Sequence, residues 1–172
     1  VTTSPEHVRT PMSSARDLIS PEAFRAVAQT VQQNNPWMAA NIAVAITDEA
    51  LKFVAACAAA PSARLRPSRV VDEGWHALIL HTQIYAGLSM RLGTSVHHVP
   101  EPPDPGRHDP DALERTQRAI RDVGYIPNVE LWCAPTDGTI PVAASCEHSE
   151  GGPEGSCTGS GEGDGPSGPN AS

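Results

Sequence analysis

From Ser68 to Leu92 apolar side chains would fall on nearly every side of a helix: Val70, Val71, Trp75, Leu78, Ile79, Leu80, Ile84, Tyr85, Leu88, Met90 and Leu92. A helix with no polar face has nothing to offer water, so it belongs in the middle of a bundle. Its ends are also written in the sequence. Ser68 suits the N-cap, and Gly93 suits the left-handed residue just past the last turn.

The neighbouring segments supply the partners such a helix needs. Ser20-Pro21-Glu22 reads as an N-cap serine, a proline at the first helical position and an acid in the first turn. Phe24, Val27, Ala28 and Val31 follow at helical spacing, and Asn34-Asn35-Pro36 ends the run. Residues 13–19 offer one more helical turn before it. A second, Ala-rich region runs from Trp37 to Ala60 and implies close helix packing. Thr47-Asp48-Glu49 has the form of a fresh N-cap, so this region reads as two helices or one kinked helix. A fourth helix is expected over 110–123, with Leu113, Gln117, Ile120 and Val123 inward and Gly124 as its stop. Tyr125 to Trp132 should then lie back across the bundle, anchored by Ile126, Leu131 and Trp132. No strand pattern of convincing length occurs.

Beyond Cys133 the composition changes. Residues 134–172 contain no Lys, Arg, Leu, Phe, Trp or Tyr and carry a charge of −6, against −2 for residues 1–133. Such a segment cannot bury enough apolar area to offset the entropy of ordering it. The expectation is therefore an all-α fold: a small irregular bundle of four to five helices over residues 13–133. A flexible arm at 1–12 precedes it, and a disordered acidic Gly/Ser/Pro-rich tail at 134–172 follows. About 120 residues suffice for one modest core.

The same features exclude several functions. There is no basic run or basic face with interleaved aromatics, so nucleic acid is not an expected partner. No stretch is apolar and long enough to span a bilayer, and no signal peptide is visible, so no membrane is expected and the cytoplasm is the default location. Cys57, Cys133, Cys146 and Cys157 form no Cys-x-x-Cys pair. Gly-x-Ser-x-Gly elbows, phosphate-cradling loops and dinucleotide fingerprints are absent.

One constellation could carry chemistry. Asp72 and His76 are four residues apart, hence one turn apart on one helix face. The adjacent His97 and His98 follow just past the helix. An Asp with two or three His is enough to hold one divalent transition metal ion, zinc, iron or manganese. An open coordination position would then activate water or dioxygen. His81 falls on the far side of the helix from Asp72. The blander reading is a buried Asp–His pair that shapes the core, since an acid in the first turns of a helix is favoured whatever the function.

The run from Val71 to Pro100 resembles the bacterial version of the glycine-rich-domain-containing protein family. Asp72, Trp75, His76, Leu80, Thr82, Tyr85, Gly93, His97 and His98 carry that resemblance in order. It implies a small helical protein in which Asp72, His76, His97 and His98 act together, and it supplies no substrate. Cys133, Cys146 and Cys157 are spread more widely than the clustered cysteines of that family, and Leu88-Ser89 also departs from it. Two functions follow as expectations: a metal-binding protein, with or without enzymatic activity, or a non-catalytic domain that engages an as yet unknown protein partner.

Overall fold

The computed structural model describes residues 14–98, 109, 111–132 and 140–142. The expected arm at 1–12 and nearly all of the expected tail lie outside them. Among the described residues there are five α-helices: α1 (Pro21–Asn34), α2 (Ala40–Ala59), α3 (Arg69–Leu80), α4 (Thr82–Leu92) and α5 (Ala112–Asp122). Short 3-10 turns precede them at Ala15–Leu18 and follow them at Val129–Leu131. No strand occurs among the described residues, so the all-α expectation holds.

The helix ends follow local chemistry. Ser20 Oγ accepts from the Ala23 N–H, with Pro21 opening α1. Ser68 Oγ accepts from the Val71 N–H at the start of α3. Gly93 (φ 75°) and Gly124 (φ 92°) take the left-handed conformation that a side chain would strain. The extra turn before α1 is a 3-10 turn closed by a capping box between Ser14 and Asp17.

α2 occupies the centre of the bundle, packed against α1, α3 and α5. Its buried residues lie all round it, among them Ala43, Ile46, Ala50, Leu51, Phe53, Val54 and Ala56. The small alanines let three neighbours approach at once. This helix is continuous, and Thr47-Asp48-Glu49 is not a cap. Thr47 Oγ1 instead donates back to the Ala43 carbonyl at 2.8 Å, within the helix.

The segment expected to be the central helix is two helices, broken at His81 (φ −85°, ψ 69°). His81 Nε2 lies 2.8 Å from Thr30 Oγ1 on α1, a tertiary contact that holds the break. After it, α4 buries only Leu88 fully and leaves Met90 82% exposed; Leu80, the last residue of α3, is 67% exposed at the break itself. The all-round apolar pattern was thus a core helix joined to a half-exposed one.

Gly74 on α3 lies in close contact with α2. A Cβ there would stand 2.8 Å from the Ile46 carbonyl oxygen and 2.8 Å from Ile46 Cγ2. The carbonyl is backbone and cannot rotate away. Gly74→Ala is therefore expected to destabilise the fold by about 3 kcal/mol, the upper end for overpacking. Urea unfolding reads this directly, and a loss below about 0.5 kcal/mol would show that α2 and α3 separate freely.

Three carboxylates are buried among the described residues: Asp72, Glu49 and Glu73. Glu49 is fully buried; its Oε1 accepts from Trp132 Nε1 (2.8 Å) and the Asn128 N–H (3.1 Å), and its Oε2 pairs with Lys52 Nζ (2.9 Å). Glu73 accepts from Asn35 Nδ2 at 2.9 Å, tying the end of α1 to α3. Segment 125–132 does return across the bundle on buried Leu131 and Trp132. Ile126, however, is 72% exposed, because its contribution is its carbonyl, which accepts from Lys52 Nζ at 2.9 Å. Ile140 and Val142, beyond the expected end of the helical region, pack against the core, and Trp37 Nε1 donates to the Pro141 carbonyl at 3.3 Å.

Candidate metal centre

Asp72 sits in the first turn of α3, which the Ser68 cap fixes. Its carboxylate is 1% exposed, an expensive place for a lone charge. Two imidazoles flank it. His76 Nδ1 lies 3.2 Å from Asp72 Oδ2, and His98 Nε2 lies 3.2 Å from Asp72 Oδ1. One ligand atom from each of the three residues falls within 4.8 Å of the others. The two imidazole rings are 4.1 Å apart, centre to centre.

The three side chains differ in access. That of His98 is 7% exposed and lies against the Trp75 ring at 4.7 Å. That of His76 is 31% exposed, so the cluster opens to solvent on its side. Trp75 itself is pinned edge-on to Phe53 at 5.0 Å.

Protons can be placed from the partners. His76 Nδ1 is 3.0 Å from the Asp72 main-chain oxygen, which only accepts, so this nitrogen carries its proton. His98 Nε2 faces a carboxylate oxygen and donates to it likewise. The hydrogen bond to the Asp72 carboxylate, opposed by partial burial, raises the His76 pKa above 6.5.

His98 comes from the loop after α4, and its approach has visible supports. Gly93 turns the chain at the end of α4. Tyr85 donates its hydroxyl to the Val96 carbonyl, and Trp75 Nε1 donates to the Tyr85 oxygen at 3.2 Å. Burial raises the Tyr85 pKa, which keeps the phenol a donor.

Of the four residues singled out in the sequence, Asp72, His76 and His98 converge, and the exposed His97 stands outside the group. His81 is likewise outside, at the α3–α4 break. His7, His108, Cys133, Cys146 and Cys157 lie outside the described residues. Cys57 on α2 has its thiol pushed up to about 12 by burial, which leaves no thiolate at neutral pH. No helix among the described residues is long and apolar enough to cross a membrane.

Fold and cluster together define a small all-α protein with a buried carboxylate bracketed by two imidazoles. A family model described as UCP032817-like matches residues 16–118, more than half of the chain, and the chain belongs to the UCP032817-like family. No curated protein and no solved structure matches it. The family match corrects the resemblance to the glycine-rich-domain family. The residues behind that resemblance all lie inside the matched stretch. What Trp75-His76, Tyr85 and His98 specify is a local arrangement of helix, turn and loop, and such an arrangement does not by itself identify a family.

Proposed function

We propose that Asp72, His76 and His98 hold one divalent transition metal ion and that this protein acts through it. The observation that carries the reading is the convergence of one carboxylate and two imidazoles, from a helix turn and a separate loop, on one opening at the surface. Donors bound to one tetrahedral ion at about 2.0–2.1 Å stand about 3.3 Å apart. The two Asp72–His separations are 3.2 Å, one to each carboxylate oxygen, and one donor from each residue lies within 4.8 Å of the others, so a small inward shift of the side chains would bring the set to that spacing. The donor set has nitrogen and oxygen but no sulfur, which suits zinc, iron(II) or manganese(II). Three protein ligands leave at least one position for water on the exposed His76 side, as in hydrolytic or oxygen-activating centres.

A second reading has its own support. The same 3.2 Å contacts also balance the buried carboxylate with no ion, His98 Nε2 by a hydrogen bond to Oδ1 and protonated His76 by an ion pair to Oδ2, in a non-catalytic interaction domain.

Acidity separates the two. A His whose folded pKa is raised stabilises the fold fully below its unfolded value near 6.5, and that contribution is lost as pH rises through the folded value. The metal-free protein should therefore lose stability above pH 6.5. An ion must displace the protons on both His76 Nδ1 and His98 Nε2, so the loaded protein should gain stability over the same range. The test is elemental analysis of purified protein, with melting curves from pH 6 to 8.5, with and without zinc or manganese. About one ion per chain, lost in His76→Ala and His98→Ala, is the expected result. Absence of stoichiometric metal together with no shift on metal addition would leave the hydrogen-bonded core pair standing.

A further inference from the structure

The geometry points to Tyr85 as the positioning residue that seats His98 in the three-residue cluster, acting through the Val96 main-chain carbonyl. This inference rests on the metal-binding reading for its effect on affinity. Its effect on the loop stands apart from that reading.

Three observations support it. His98 is the only member of the cluster not carried on α3. It belongs to a loop whose last described residue is His98 itself, and its side chain must be delivered to Asp72 across the α3–α4 junction. The described hydrogen bond nearest to it along the loop backbone is that from the Tyr85 hydroxyl to the Val96 carbonyl, two residues away. The hydroxyl is itself aimed, because Trp75 Nε1 donates to it, and the Trp75 ring also forms the wall against which His98 lies. One aromatic pair thus fixes both the height of the loop and the plane of the imidazole. Outer groups of this kind orient a ligand without touching the ion.

The chain of contacts also accounts for the choice between the adjacent histidines. Holding the Val96 carbonyl fixes how the loop is turned just before the pair, and in that setting it is His98 that meets Asp72. His97 is turned to solvent.

Tyr85→Phe keeps the ring and removes only the hydroxyl. The test compares the full-length protein with Tyr85→Phe and His98→Ala in three measurements. These are zinc affinity by competition with a chromophoric chelator, the visible spectrum of the cobalt(II)-loaded protein, and hydrogen exchange of residues 94–98. Tyr85→Phe is expected to weaken zinc binding by about 10- to 100-fold. It should shift the cobalt spectrum toward that of His98→Ala and speed exchange in the loop. Wild-type zinc affinity and an unchanged cobalt spectrum in Tyr85→Phe would overturn the assignment. If the wild-type protein binds neither zinc nor cobalt, the metal reading fails by itself. Loop exchange then decides for Tyr85: faster exchange in the variant upholds its role in seating the loop, and unchanged exchange overturns it.

Discussion

Glu49→Ala should cost about 3–5 kcal/mol of stability, the usual range when one partner of a buried charged pair is removed. The carboxylate is fully buried and answers three donors at once: the Trp132 indole, the Asn128 main-chain N–H and the Lys52 ammonium. Alanine leaves the first two in the core without this acceptor. Lys52 keeps Asp48 at 3.1 Å and the Ile126 carbonyl. A domain of this size has about 5–15 kcal/mol in total, so the variant stands near the threshold of folding. Glu49→Gln retains an acceptor for Trp132 and should lose less. Urea unfolding followed by tryptophan emission ranks the three proteins. A Glu49→Ala loss under 1 kcal/mol would mean that segment 125–132 is held by Leu131 and Trp132 packing alone.

Asp72→Asn should lower metal affinity by more than about a hundredfold, beyond what loss of an outer-shell group costs. The amide keeps the shape and one acceptor oxygen but loses the charge that draws a cation, and its NH2 would face one of the two imidazoles. Without metal the same change removes the cause of the raised His76 pKa. His76 then titrates closer to 6.5, and the pH-dependent loss of stability above that value flattens. Calorimetric titration with zinc, together with metal-free melting at pH 6 and 8, measures both effects. If zinc binds the variant as it binds the wild type, the carboxylate is not a ligand. If metal-free pH dependence persists unchanged, Asp72 is not what holds the His76 proton.

What could be read from sequence was local. Ser20, Ser68, Gly93 and Gly124 mark helix ends because a cap needs only its own few neighbours. Asp72 and His76 share a face by helical geometry alone. Features set by contacts distant in the chain escaped. The break at His81 has no glycine or proline to announce it and is held by Thr30, 51 positions earlier. Glu49 resembled a capping acid because its partners, Asn128 and Trp132, arrive from 79 and 83 positions away. The Ala-rich run implied close packing, but that α2 holds the centre depends on α1, α3 and α5 all meeting it, which its own residues do not state. The choice of His98 over His97 depends on Tyr85 and Val96, which no spacing rule encodes. The signal that was available for Glu49 was an acid within an otherwise apolar helical run, which asks for a buried partner.

Residues 140–142 have a mechanical meaning. Trp37 and Pro141 are 104 positions apart, and their hydrogen bond, with Ile140 and Val142 against the core, fastens the chain a second time after Trp132. Tension applied from the C-terminal side reaches Val142 before it reaches Leu131. Among the described contacts the clasp is therefore the first to part under load, while the Glu49–Trp132 anchor behind it still holds. A chain cut after Cys133 would lose that first catch, leaving Trp37, already 61% exposed, without its carbonyl partner.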